Sequence, residues 1–341
     1  MLAKSFDTIC KTVYTYNVIT ENQRQINNKM ASNTFLLMMF ASILLQLIVG
    51  MIIDSEVIDA GDFFVLAGLT AVQYLLYIAI FIFVCKQYRI GPRVLFKQTG
   101  LDQKIEFKTT YTVMLLAGLC LVGIILVSGA LTEFFRVIGY LDAYNPERVD
   151  PMSINSFSKY FVAVVVFAFV PAIVEELFFR GIILKGLLQF GRSKAAVASA
   201  VLFSLFHLNP EQTVHQFVLG IVLALVVLQT GKLMYAMILH FVNNFSILTY
   251  TYIAGEVYHT IPWNVFTIVL TVILAGASAL FIVRLIKDLG KDKQSSSSNS
   301  YQIKGDNKKF FSFDNILYFF GVILVGSIWL LLLFSGIGFM G

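Results

Sequence analysis

Charged residues are scarce in this sequence, where only 13% of the 341 residues are Asp, Glu, Lys or Arg. A soluble globular chain carries about 25% charged residues, whereas hydrophobic residues here reach 58%. This balance excludes an ordinary soluble enzyme. The net charge of +5 is modest, so the electrostatic footprint of a nucleic-acid-binding protein is missing as well, and we expect no nucleic-acid partner.

Cysteine is equally rare. The three cysteines, Cys10, Cys85 and Cys120, are widely spaced and match neither a zinc-binding pattern nor a disulfide framework. We therefore expect free thiols. The amino-terminal residues are interrupted by charges and lack the apolar stretch of a signal peptide, which predicts that no such peptide is cleaved.

The sequence is rich in long apolar segments. A transmembrane helix needs about 20 largely apolar residues, and nine segments approach this pattern: Phe35–Ile53, Phe63–Cys85, Thr110–Leu131, Tyr160–Phe179, Ala195–Leu208, Gln216–Thr230, Leu233–Tyr250, Pro262–Val283 and Ile316–Met340. The fifth and sixth are short, so they either form a hairpin that crosses in part or extend through residues 209–215. We predict an all-α fold, a polytopic membrane bundle of about eight or nine transmembrane helices.

Loop charges predict the orientation of this bundle. The loop after the first segment holds acidic residues only, at Asp54, Glu56, Asp59 and Asp62, whereas lysine and arginine follow the even-numbered segments. Lysine and arginine are retained on the cytoplasmic side of a membrane. The pattern therefore predicts an integral membrane protein with a cytoplasmic amino terminus, and we expect it in a bacterial plasma membrane.

Polar side chains interrupt three of the apolar segments at similar depths. Charges are expensive inside a bilayer and are usually functional there. Counted along each helix from its basic inner end, Glu175 lies roughly 15 Å deep, His207 roughly 18 Å and His240 roughly 12 Å. The three side chains are thus expected in one slab of the membrane, nearer its inner face. Acids and imidazoles that meet at such a depth are the parts of a hydrolytic site.

Spacing within each segment supports this interpretation. Glu176 and Arg180 are four residues apart and share a helix face, so they can pair. His240 shares a face with Asn244 in the same way, and Asn243 faces nearly the same direction, so geometry alone leaves both asparagines open. Pro171, just before the acidic pair, is expected to break or kink its helix and to free backbone carbonyls.

Three motifs stand in order along the chain: two glutamates, three residues and an arginine (Glu175, Glu176, Arg180); phenylalanine, three residues and a histidine (Phe203, His207); and histidine, three residues and an asparagine (His240, Asn244). In this order they resemble the CPBP intramembrane proteases, a family that includes the CAAX-prenyl proteases and the bacterial Abi or bacteriocin-immunity proteases. The resemblance covers residues 160–250 and implies a core of kinked and short helices around an intramembrane cavity. It selects Asn244 over Asn243.

The resemblance also implies roles for the motif residues. Glu175 would be the general base, and His207 would hold and orient the attacking water. His240 and Asn244 can donate hydrogen bonds to the oxyanion. Supporting roles fall to Phe203 and to the Glu176–Arg180 pair, unless Arg180 binds a substrate carboxylate. We expect no cofactor, and a membrane-anchored peptide or protein as substrate within the lipid bilayer.

With this core, the chain divides into five parts. These are a cytoplasmic amino-terminal segment (1–34), amino-terminal transmembrane helices (35–159), the CPBP-like core (160–250), a further transmembrane helix (251–293), and a Ser-rich linker with a carboxy-terminal transmembrane helix (294–341). The Ser-rich linker around residues 294–300 is the one low-complexity stretch. His215 and His259 lie near predicted outer ends of segments and are expected at the surface.

Two alternatives remain open. Glu175, His207 and His240 could bind zinc, because two imidazoles and a carboxylate form a known catalytic set, although the two-histidine helix motif of the common zinc proteases is missing. A non-catalytic transporter or immunity scaffold would also carry buried charges. The polar residues would then be structural.

The segment 181–194 bears on how substrate reaches the site. It mixes aliphatic residues with Lys185, Arg192 and Lys194, as in a helix lying at the membrane interface. We predict that this helix forms the rim of a cavity open to the cytoplasm. A cavity near residues 209–215, open to the outside, is the alternative.

Overall fold

A computed structural model describes residues 25–54, 62–105, 154–208, 212–254 and 265–291, with scattered positions between 115 and 130 and between 318 and 327. Every regular element in these ranges is helical. The main helices are α1 (Asn28–Asp54), α2 (Phe63–Gln87), α3 (Pro92–Thr99), α4 (Phe157–Phe190), α5 (Arg192–Phe206), α6 (Thr213–Thr230), α7 (Leu233–Ala254) and α8 (Val265–Lys291). The predicted all-α class is confirmed for this part of the chain.

Among the described residues, four helices are long and apolar enough to cross a membrane: α1 over Asn28–Val49, and α2, α4 and α6 over their full lengths. These spans support an integral membrane protein. Helix α5 has 15 residues and is short, as expected. The predicted segments Thr110–Leu131 and Ile316–Met340 fall largely outside the described residues.

Helix α4 changes its hydrogen-bonding register twice. Two π-helical stretches, Val164–Phe169 and Leu177–Ile183, flank a normal α-helical stretch, Val170–Glu176. Pro171 does not break the helix but sits near the start of that middle stretch, directly after the first π-helical one. Such π-helical insertions are frequent at functional sites, and the two glutamates are the last residues between them.

The prediction that residues 181–194 lie at the membrane interface is wrong. Ile182, Ile183 and Leu187 are buried, because α1 covers this part of α4. At Gly186 an added Cβ would lie 2.5 Å from the Cβ of Ala31, so the two helices are in close contact. The apolar residues of the segment therefore contact protein.

Helices α5 and α6 pack closely beside α4. At Gly220 of α6, an added Cβ would lie 3.0 Å from the Cα of Ala200 on α5, so a larger residue would push the helices apart. The close approach also brings the Gly220 carbonyl within reach of Arg180 on α4. Packing of these helices therefore places the polar side chains of α4 at the centre of the bundle.

Candidate active site

Glu175 lies at the centre of the polar cluster. Its side chain is 6% exposed, and its Oε2 lies 3.8 Å from Nε2 of His207 and 4.0 Å from Nε2 of His240. The three side chains come from α4, α7 and the carboxyl end of α5. The structure thus brings together the residues that the sequence placed at one depth.

His207 is held by the backbone of its own helix. Its Nδ1 lies 2.8 Å from the carbonyl oxygen of Phe203, which can only accept, so Nδ1 carries the proton. In the neutral imidazole Nε2 is then an acceptor that faces Glu175. Leu208, the next residue, is buried and has a left-handed backbone with φ of 51°, a strained conformation of the kind that clusters at active sites.

His240 is held by the second glutamate. Its Nδ1 donates to Oε1 of Glu176 over 2.8 Å, and the same oxygen accepts from Nη1 of Arg180 over 2.6 Å. Glu176 and Arg180 are both 0% exposed. The Glu176–Arg180 pair therefore fixes the orientation of an imidazole that contacts Glu175, and it does not face an open surface where a substrate carboxylate could bind.

Phe203 contacts three members of the cluster. Its ring lies 4.3 Å from Cζ of Arg180, while its centroid is 4.8 Å from that of His207 and 5.9 Å from that of His240. A cation over an aromatic face is stabilised by the ring quadrupole. The second motif therefore supplies a ring that packs between the buried cation and the imidazoles, and a carbonyl that fixes His207.

The two asparagines of α7 have different surroundings. Asn244 donates from Nδ2 to the carbonyl of Phe167 over 3.2 Å, and its Oδ1 accepts from Asn243 over 3.0 Å. The Phe167 carbonyl lies four residues before Pro171, which has no N–H to donate to it. Asn244 supplies a donor to this carbonyl. The expectation that the proline affects carbonyls near the site agrees with this contact. Asn243 is buried.

The prediction that His215 is a surface residue is wrong. It is 8% exposed, and its Nε2 lies 3.5 Å from Nδ2 of Asn243. Helix α6 starts at Thr213, so His215 is already within the bundle, in its first turn. Its burial beside Asn243 needs the packing of α6 on α7, which a hydropathy pattern does not contain. His259 lies outside the described residues.

Tyr74 of α2 was missed by the sequence reasoning. Its hydroxyl donates to Oε1 of Glu175 over 2.6 Å, across 101 positions of the chain. One signal could have identified it. Tyrosine in membrane proteins is enriched at the interfaces, whereas Tyr74, with Gln73 and Tyr77, lies near the middle of a long apolar helix.

Metal binding has weak support in the geometry. Within the ranges that the structure describes, no group of three or more His, Cys, Asp or Glu side chains is arranged as a metal site. However, His207 and His240 each donate from Nδ1 and present Nε2 to Glu175, which is the tautomer that zinc ligands adopt.

A groove lies away from these side chains, between α5 and α6. It measures about 210 Å³ and is lined by Val201, Ser204, Leu205, Thr213, Val214 and Phe217. Two of its lining residues, Thr213 and Val214, belong to the segment 209–215, where the sequence predicts the alternative, outward-facing cavity. The access route of the substrate stays a prediction.

Chemically, the cluster offers a carboxylate oxygen next to two imidazole nitrogens in a buried setting. Tyr74 holds Oε1 of Glu175, while Oε2 has no hydrogen-bond partner among the described residues. A buried carboxylate oxygen without a partner is costly and is suited to receive a proton from water. Such an arrangement is suited to general-base chemistry.

Comparison with known families gives one match over this part of the chain. Residues 157–246 match the model of a family described as type II CAAX prenyl endopeptidase, Rce1-like. The match starts with α4, ends within α7 and contains all three motifs. No curated protein and no solved structure matches the chain significantly. The resemblance to the CPBP and CAAX-protease family that the motifs carry is thereby confirmed over residues 157–246.

Proposed function

We propose that this protein is an intramembrane endopeptidase in which Glu175 activates a water molecule for attack on a peptide bond. The observation that carries the proposal is the approach of His207 Nε2 and His240 Nε2 to Glu175 Oε2, at 3.8 and 4.0 Å. These distances exceed a hydrogen bond. A polar separation of this size suits a bridging water, placed between the base and the imidazoles.

In the proposed reaction, Glu175 first accepts a proton from water and later donates it to the leaving nitrogen. Glu175 Oε2 takes a proton from the water as its oxygen attacks the scissile carbonyl carbon, and His207 Nε2 accepts the second hydrogen bond of that water. The tetrahedral intermediate then collapses, the C–N bond breaks, and the proton on Glu175 passes to the leaving nitrogen. The products are a carboxylic acid and an amine, which ionise to a carboxylate and an ammonium group when they leave the site, and Glu175 is regenerated.

His240 and Asn244 are the proposed donors to the oxyanion. For this role His240 must present an N–H at Nε2 while its Nδ1–H is held by Glu176. The Asn244 amide uses one N–H on the Phe167 carbonyl, and an amide nitrogen has two. Preorganised donors of this kind typically contribute about 10²- to 10³-fold each in rate.

The substrate is proposed to be a membrane-anchored peptide or protein, because the reacting groups lie within the lipid bilayer. Prenylated proteins, pheromone precursors and bacteriocin-related peptides all fit that description. We also propose a bundle of eight or nine transmembrane helices in a bacterial plasma membrane, with a cytoplasmic amino terminus. The five-part division of the chain is part of the same proposal.

Comparative peptidomics tests this function in cells. Membranes from cells that express the wild type are expected to contain cleaved peptides that are missing when Glu175→Ala is expressed at the same level. Mass spectrometry of new peptide termini identifies them and the cleavage site. Identical sets of termini in the two strains would contradict the proposal and favour a transporter or scaffold.

A zinc protease is the second candidate, favoured by the Nδ1-protonated tautomers of both imidazoles. We predict that purified protein cleaves its peptide at an unchanged rate after dialysis against a chelator, since Glu175 alone can serve as the base. Metal content is measured on the same sample. Activity that is lost on chelation and restored by stoichiometric zinc would make Glu175, His207 and His240 metal ligands.

A further inference from the structure

A polar patch on α2 reaches the site from outside the family-matched segment. Gln73, Tyr74 and Tyr77 lie together near the middle of this helix, which precedes residues 157–246 by about seventy positions. Tyr74 is half-buried and Tyr77 is buried. Polar residues at membrane depth are functional candidates by default. This patch contacts the core of the enzyme through Tyr74.

Because of the Tyr74 hydrogen bond, the two oxygens of the Glu175 carboxylate have different surroundings. Oε1 accepts the Tyr74 hydroxyl over 2.6 Å, while Oε2 faces the two imidazoles. A short hydrogen bond to a carboxylate is among the stronger ones in proteins. With Oε1 held, the carboxylate cannot rotate freely about its last bond, so Oε2 stays directed at the imidazoles.

Tyr77, on the same helix, is a tyrosine that makes no hydrogen bond to Glu175 and therefore serves as a comparison. Its hydroxyl bonds to Ser42 over 2.7 Å and to Gln73 over 2.5 Å. Its ring packs edge-on against Tyr74, with centroids 5.7 Å apart. Tyr77 thus has the same residue type, helix face and depth as Tyr74, but its hydroxyl bonds to α1 and α2 and not to Glu175.

We propose that Tyr74 is a positioning residue for peptide hydrolysis, which fixes Oε1 of Glu175 so that Oε2 is aimed at the attacking water. The proposal rests on the proposed function. It assigns a catalytic contribution to the amino-terminal helices, which the family match does not cover. Tyr74 acts through Glu175 and makes no bond in the reaction.

The test compares Tyr74→Phe with Tyr77→Phe in the full-length protein, using the peptide that the wild type cleaves. Tyr74→Phe is expected to lower kcat by about 10- to 100-fold, as for loss of a hydrogen bond to a charged group, with KM changed less than about twofold. Tyr77→Phe loses its hydrogen bonds to Ser42 and Gln73 and should keep the kcat of the wild type. Thermal unfolding of both variants measures how much each substitution lowers Tm.

The outcomes separate the two proposals. If the wild type cleaves and both tyrosine variants cleave equally fast, or if both lose kcat in proportion to their loss of stability, Tyr74 is structural and its assignment is wrong. If the wild type and the Glu175 variants are equally inactive, the proposed function is wrong. A second measurement needs no activity: Tyr74→Phe should lower Tm less in a Glu175→Gln background than in the wild type, and equal shifts would overturn the contact.

Discussion

Glu175→Gln is expected to reduce kcat/KM for peptide cleavage by about 10²- to 10⁴-fold, the usual contribution of a general base. Glutamine has nearly the same shape as glutamate and can still accept the Tyr74 hydroxyl at Oε1. It cannot take a proton from water. The loss therefore reports the missing base and not a missing contact, and it should appear in kcat.

Ser199→Ala is a suitable control for this experiment. Ser199 is as buried as the site, and its hydroxyl donates to the Phe179 carbonyl over 3.3 Å without contact to Glu175 or either site histidine. Its activity should match that of the wild type. Cleavage by Glu175→Gln at the rate of Ser199→Ala would mean that another group activates the water.

The second large effect concerns stability. Arg180→Met is expected to lower the free energy of unfolding by about 3–5 kcal/mol, the cost of removing one member of a buried ion pair. The guanidinium bonds to Glu176 over 2.6 Å and to the Gly220 carbonyl over 3.1 Å, and it packs on Phe203. Methionine fills much of the space but leaves a buried carboxylate without its cation. Thermal unfolding of the purified proteins measures the difference.

The double variant Glu176→Gln with Arg180→Met separates charge from packing. Neutralising the carboxylate removes the unpaired charge, so the double variant should be more stable than Arg180→Met alone. It should cleave more slowly than the wild type, because His240 has lost its carboxylate partner. A double variant no more stable than the single one would mean that Arg180 contributes by packing and by its bond to Gly220.

The motif residues could be found from the sequence because charge is so costly inside a membrane. Glu175, His207 and His240 stand out against apolar neighbours, and helix rise alone placed them at one depth. The helical class and the short α5 follow from hydropathy in the same way. Each of these features is local to one segment, where composition carries the information.

Features that depend on contacts between distant helices could not be predicted. Tyr74 meets Glu175 across 101 positions of the chain, and no spacing rule connects them. The burial of His215 depends on Asn243 of another helix. Residues 181–194 have an amphipathic pattern that predicts a helix at the lipid interface. Helix α1 covers this segment at Gly186, so its apolar residues contact protein.

The claim that Glu175 and His207 act on one water is tested most directly by combining their variants. The measurement is kcat/KM of Glu175→Gln, of His207→Ala and of the double variant, in the same membrane preparation. Groups that act as a unit are strongly non-additive in rate. We predict that the double variant is no slower than the slower single variant. Losses that multiply, or a single variant with full activity, would contradict a shared hydrolytic centre.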